Sequence, residues 1–281
     1  MIGAARGVQG RSYQLLATNQ FTTGGTQSYP IPAGTSYLSV ELWGGGGGGA
    51  GGRSVGNRPT NYYGGGGGGG GGYARYTMYG GQPKTGFFEG CANNNFDMQA
   101  GDLLVLYVGA GGIGGNQGVN GAAGTSTSII KHTRNGITVL DHDSLTSGDF
   151  DECLASLFYS VVAGGGNGGL TATIVPNGGS GGIGILLTYT PDRRELGSEE
   201  GFRGQGNNGT STASGGGTGG KAGGFTSYAG GNGGTGGGNN GDPGIAGGFP
   251  GGGGGGGGSH VTSRGSGGAG ATGSIIIKAY G

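Results

Sequence analysis

The sequence predicts a mostly β fold: a modest β layer joined to a slab of extended glycine helices of the polyproline II type, with one short α-helix. Three observations carry that expectation. Glycine supplies 86 of 281 residues while apolar residues make up only 31%, too little to fill a conventional core of that size. The glycines come in unbroken runs, above all at 44–49, 64–72 and 251–258. Segments rich in β-branched and aromatic residues lead directly into and out of those runs.

The run at 64–72 cannot be an ordinary core element. Glycine has no side chain to bury, and ordering each residue costs about 1–2 kcal/mol of backbone entropy. Flexible coil is the default for such composition. The alternative is a left-handed helix rising ~3.1 Å per residue without internal hydrogen bonds, which becomes ordered only in a bundle where every N–H and C=O finds a neighbouring helix. A recurring unit favours the bundle: strand, glycines out, loop, glycines back, strand.

Taken in order, residues 38–43 form a strand with Leu38, Val40 and Leu42 on one face, and they run into glycines 44–52. After the loop 53–63, glycines 64–72 return into a strand at 73–79. Residues 103–108 enter 109–115, turn at 116–123 and return through Gly124 to a strand at 125–131. Residues 158–163 enter 164–169, turn at 170–177 and return via 178–184 to 185–189. The last unit is 251–258, loop 259–264, glycines 265–273 and a strand at 275–280. Such periodic recurrence is the mark of a repeated structural unit. Tyr29, Pro30, Ile31 and Pro32 read as an edge segment, since proline cannot donate to a central ladder. The helix falls within 131–158, with Ser147 or Asp149 as N-cap and Phe150, Leu154 and Leu157 on one face. Residues 202–250 read as further passes of the slab with short turns, anchored by Phe225, Tyr228 and Phe249.

Two regions follow: an N-terminal arm at 1–20, too poor in apolar residues to fold alone, and a composite β and glycine domain at 21–281. The arm is either a docking segment or a frayed end. Lysine plus arginine equals aspartate plus glutamate at 14 each, which gives no electrostatic reason to expect nucleic acid or an anionic membrane as partner. Cys91 and Cys153 are read as free thiols of a chain made in a reducing compartment. The first ten residues lack an apolar signal region, and no stretch approaches the ~20 apolar residues of a membrane span.

Residues 215–221 spell G-x-x-x-x-G-K, but Ala222 stands where a phosphate-binding loop needs serine or threonine, and in so glycine-rich a chain the match is chance. Asp141, His142 and Asp143, with Asp149, Asp151 and Glu152, read as a solvated acidic turn rather than a calcium site, because EF-hand spacing is absent. His132, His142 and His260 are scattered and no nucleophile sits in a recognisable motif. The expectation is a protein that is no enzyme and needs no cofactor or metal.

The series I-P-A-G-T-S-Y-L-S-V-E-L-W followed by glycines (31–49), M-Q-A-G-D-L-L-V-L-Y-V-G-A-G-G (98–112) and the glycine-rich C-terminal stretch ending in S-I-I-I (251–277) resembles the glycine-rich domain of bacteriophage tail proteins. It is similar in kind to the polyglycine-sandwich adhesins at the fibre tips of T-even-like phages, which bind outer-membrane receptors through loops at the end of the sandwich. A looser likeness is to the ectodomain of anaplastic-lymphoma-kinase-type receptors, which joins a jelly-roll-like β layer to glycine helices. The resemblance implies a jelly-roll-like layer here, and a virion tail component assembled in the host cytoplasm that attaches the particle to a bacterial surface protein or polysaccharide. The alternative is a structural tail-tip or decoration protein. The arm would join another virion protein, and association with further copies of the chain is an open expectation.

In either case the loops 53–63, 116–123, 170–177 and 259–264 must emerge at one end of the slab. The first is richest in groups suited to recognition, with Arg53, Asn57, Arg58, Asn61, Tyr62 and Tyr63; His260 and Arg264 of the last loop join them as candidate receptor contacts. Tyrosine buries large area at low entropy cost and arginine forks onto carboxylate or phosphate. The competing reading is that Tyr62 and Tyr63 cap the glycine run against water.

Overall fold

The computed structural model describes residues 13–54, 62–79, 99–141, 159–171, 184–188, 203–204, 215–224 and 230–281. Two antiparallel sheets pack face to face. In the first, the strand order is β1 (Leu15–Phe21), β13 (Ser274–Tyr280), β3 (Tyr37–Trp43), β6 (Tyr73–Tyr79) and β12 (Arg203–Gly204). In the second, it is β11 (Gly184–Thr188), β10 (Tyr159–Ala163), β8 (Thr127–Arg134), β7 (Leu103–Val108) and β2 (Gly25–Pro30), with β9 (Ile137–Asp141) paired to β8 off this path. A separate ribbon joins β4 (Arg53–Ser54) to β5 (Tyr62–Tyr63).

The core lies between the two sheets. Leu38, Val40 and Leu42 of β3 and Ile275, Ile277 and Ala279 of β13 meet Tyr29 of β2, Leu104, Leu106 and Val108 of β7, and Ile129 of β8 in one buried cluster. Alternation along β7 and β13 is the period-2 signal of a half-buried strand, and each buried leucine or isoleucine stabilises the sandwich by about 1.5–3 kcal/mol. Strand β3 is buried on both faces, because Trp43 and Tyr73 of the outer face pack with Ala222 of a glycine tract.

All the strands that abut glycine runs do so at the same end of the sandwich, and there the glycines form a hydrogen-bonded slab. Tract 44–52 occupies its interior and is buried throughout. Its N–H groups are shared out with a period of three. Gly44, Gly47 and Ala50 donate to Gly72, Gly69 and Gly66; Gly45, Gly48 and Gly51 to Thr125, Ala122 and Val119; Gly46, Gly49 and Gly52 to Ala271, Gly268 and Gly265, all at 2.8–3.0 Å. Its carbonyls are taken up the same way by three further tracts, with Gly46, Gly49 and Gly52 accepting from Gly112, Gly115 and Gly118, Gly45 and Gly48 from Gly166 and Gly169, and Gly47 and Ala50 from Gly254 and Gly257. Every N–H of this dry segment, and the carbonyls of Gly45 to Ala50 and of Gly52, are thereby paired, as burial demands. Tract 251–258 is likewise buried and bonded on all sides.

Outer tracts show the same period in their exposure. Along 109–118 the buried positions are Gly109, Gly112 and Gly115, whereas Ala110, Ile113 and Asn116 face water; along 265–273, Ser266 and Ala269 do so. Side chains larger than a methyl stand where these tracts look outward, and the inward side chains of the slab, at Ala50 and Ala222, are alanines.

The strands expected at 38–43, 73–79, 103–108, 158–163, 185–189 and 275–280 are present within a residue or so. Several readings need correcting. Residues 15–20, assigned to the N-terminal arm, instead pair with β13 as part of β1, because Ala17 and Phe21 pack against the core. Residues 119–125, expected as the end of a loop, form a full pass of the slab despite carrying only two glycines, since their side chains point outward. Strand β9 was not foreseen: Asn135 and Gly136, both with positive φ (50° and 77°), turn β8 into a hairpin. Among the described residues there is no helix; the one expected near Phe150, together with Cys91, Cys153, His142 and Asp143, lies outside them. Residues 215–221 are a slab pass, with Gly217 and Gly220 donating to Gly65 and Gly68.

Candidate functional site

The far end of the slab gathers turns that are distant in sequence. Arg53 pairs with Tyr63 and Ser54 with Tyr62, so the first loop leaves the slab as a two-stranded ribbon. Ser259 Oγ donates to the carbonyl of Arg53 at 3.1 Å and Ser259 bridges Arg264, which fixes the last loop beside that ribbon. Within that loop His260 N donates to Ser263 O at 2.8 Å, making a tight turn that leaves His260 and Arg264 exposed. Gly118, at φ 68°, donates to Gly52 at 3.0 Å and turns the chain beneath the Arg53 stem. Asn120 Oδ1 accepts from Thr171 N at 2.8 Å and from Thr171 Oγ1 at 3.0 Å, which ties the third loop to the second.

Arg53, Tyr63, His260 and Arg264 are thus brought to one end, with Tyr62 in the same ribbon; Asn57, Arg58 and Asn61 lie outside the described residues. Tyr63 is half-buried against the slab. A further turn that the sequence reading did not single out joins them. Gly258 donates to Asp242 O at 2.9 Å and Ser263 Oγ to Asn240 O, placing residues 239–243 beside the last loop. The N-G-D-P stretch at 240–243 was the available signal, being a turn sequence between glycine tracts.

The opposite end of the molecule is built differently. Gln14 and Gly281 exchange backbone hydrogen bonds at 2.8 and 2.9 Å, and Tyr37 stacks on Tyr280 at 4.5 Å with Tyr13 edge-on to Tyr37 at 5.0 Å. The described chain therefore enters the fold at the end remote from the loops. At this same end lies a buried polar cluster. Asp102, 2% exposed, accepts from Arg134 Nε at 2.9 Å and its second guanidinium nitrogen at 2.8 Å, from Gln99 N at 2.8 Å, and meets His132 Nε2 at 2.9 Å. Burial pushes the Asp102 carboxyl up, but the Arg134, Gln99 and His132 hydrogen bonds outweigh it and hold the group below the ordinary aspartate value. The cluster pins the turn that carries Gly101 (φ 85°) to strand β8 through Asp102, His132 and Arg134.

Glu41 is the other buried carboxylate. It is 1% exposed on the outer face of β3, with Lys278 Nζ at 3.6 Å, an ion-pair rather than a hydrogen-bond distance. Desolvation raises its pKa, against the pull of Lys278 and Arg75. Among the described residues no group of His, Cys, Asp and Glu is arranged to hold a metal, and no helix is long and apolar enough to cross a membrane.

These features define a class: a β-sandwich that carries a slab of glycine tracts and presents turns at the slab's far end. The model of the glycine-rich domain family matches residues 22–280, and the chain belongs to that family. Comparison with curated proteins found no match.

Proposed function

We propose that the protein is a phage tail or tail-fibre protein whose far-end loops bind the bacterial surface during adsorption. The observation that carries the reading is polarity: the loops holding Arg53, Tyr63, His260 and Arg264 converge at one end, while Gln14 enters the fold at the other, next to Gly281. A chain anchored to a virion through residues 1–12 would point those loops outward. The protein acts as a binding module, without catalysis, and resides in the virion.

The slab supplies stiffness. We read its tracts as polyglycine II helices, because partners that change with a period of three are what a helix of three residues per turn and no internal hydrogen bonds requires. At ~3.1 Å per residue a nine-residue tract holds the loops ~28 Å beyond the sandwich, whose two sheets we read as jelly-roll-like.

A combined Arg58→Ala, Tyr62→Ala, Tyr63→Ala variant tests the proposal by adsorption to host cells and competition with phage. Lost adsorption with an unchanged melting temperature is expected. Unchanged adsorption would leave the first loop without a role, and binding only to another virion protein would make the chain a structural component.

A further inference from the structure

Beside the ribbon, the far end contains an open groove of about 540 Å³ whose walls come from three separate turns. One wall is Asn116 and Gln117, another Pro243, and the third Arg264 and Ser266, with the backbones of Gly241 and Gly265 between them. The walls are fixed by the slab itself, since Gly244 N donates to Ser266 O at 2.9 Å, Gly265 N to Gly258 O at 2.9 Å and Gly267 N to Gly115 O at 2.8 Å. A Cβ on Gly265 would overlap the carbonyl of Asp242, so the floor can exist only without a side chain there.

We propose that this groove binds an acidic saccharide, a sugar bearing a carboxylate or phosphate. The inference rests on the adhesion reading for its setting and deepens it by naming the class of ligand. Arg264 is exposed, and among the described residues no carboxylate pairs with it, which leaves a planar fork of donors for a carboxylate or phosphate. Asn116 and Gln117 side by side offer donors and acceptors together, the combination that vicinal hydroxyls need, and Ser266 adds a hydroxyl. Among the described residues of the lining the Pro243 ring is the apolar side chain, suited to the C–H face of a pyranose. Among the described residues no large aliphatic or aromatic side chain lines the groove, which disfavours a ligand held mainly by apolar anchors. Asp242, the nearest acidic neighbour in sequence, is not part of the lining; its Oδ2 lies over Gly238.

The test uses the purified full chain and calorimetric titration with three probes: an oligogalacturonate, a glycerol-phosphate polymer, and a neutral galactose oligomer. At least one anionic probe is expected to bind, more weakly as salt is raised, while the neutral one does not; which anion binds distinguishes carboxylate from phosphate. Arg264→Ala should weaken that binding about tenfold or more, as befits the loss of a charge-assisted bidentate contact. Asn116→Asp, which places a like charge in the groove, should do the same, whereas Lys221→Ala, an equal loss of charge elsewhere on the slab, should not. Failure of both anionic probes, or equal affinity in the folded Arg264→Ala and Asn116→Asp variants, overturns the proposal. Adsorption is scored separately: acidic-saccharide binding by a protein that does not adsorb to cells would sink the adhesion reading and leave the groove standing.

Discussion

The α-carbon of Gly68 lies so close to the carbonyl oxygen of Gly47 that a Cβ built on Gly68 would overlap that oxygen. Gly47 cannot retreat, because its own N–H is bonded to Gly69 at 2.8 Å and its carbonyl to Gly254 N at 2.9 Å. Gly68→Val is therefore expected to separate the two tracts and strand their backbone groups, lowering stability by at least about 1–3 kcal/mol. Thr235→Val, at an outward position of its tract, should stay within about 0.5 kcal/mol of the parent. Thermal melting of the two variants checks the contrast; equal melting temperatures would mean that the tracts do not pack.

The second expectation concerns protection. The N–H groups of Gly47, Gly48 and Gly49 are buried and bonded to three different tracts, so they can exchange with solvent only if the slab opens as a unit. Hydrogen exchange should find them among the slowest amides, alongside those of β3. Exchange as fast as in a free peptide would refute the ordered slab.

The third concerns acid. Because the folded-state pKa of Asp102 is depressed, its contribution is fully present above the unfolded value of about 3.9 and is lost as pH falls through the lower folded value. Glu41 works in the opposite sense: its raised pKa favours the folded state at low pH, and that contribution is lost as pH rises through the elevated value. Asp102→Asn should therefore flatten the loss of stability below about pH 4, and Glu41→Gln should flatten the decline above about pH 4.5 while raising stability at neutral pH. Chemical denaturation between pH 2 and 8 separates the two slopes.

The fourth is topological. Strand β13 lies between β1 and β3 and contributes Ile275, Ile277 and Ala279 to the core, although it is the last element of the chain. Deleting residues 274–281 should leave an insoluble or unfolded product, as judged by circular dichroism. A folded truncated protein would show that the sheet closes without it.

What could be read in advance follows from where the information sits. Leu38, Val40 and Leu42 announce β3 by alternation, and the abrupt change from Trp43 to Gly44 marks the border of the slab. Strand β1 escaped because it is a largely exposed edge with a polar Thr-Asn-Gln centre, whose identity depends on pairing with residues more than 250 positions away. The pass at 119–125 escaped because glycine is sparse in it: this pass carries glycine only at 121 and 124, and its other residues are exposed. The hairpin at Asn135 and Gly136 had a local signal that the reading did not use. The groove could not be inferred at all, since Asn116, Pro243 and Arg264 are joined only by the stacking order of the tracts.

The recurrence of hydrogen-bond partners at every third residue also constrains how such a chain can change length. Removing a single residue from 44–52 would turn every later position to the wrong neighbour, so that groups now bonded to 119–125 would face 64–72 or 265–271 instead. Removing three would shorten the tract while keeping its faces in phase. Insertions and deletions within tracts should therefore come in multiples of three, whereas the turns at the far end can gain or lose any number, and a library that diversifies only those turns would leave the scaffold's register untouched.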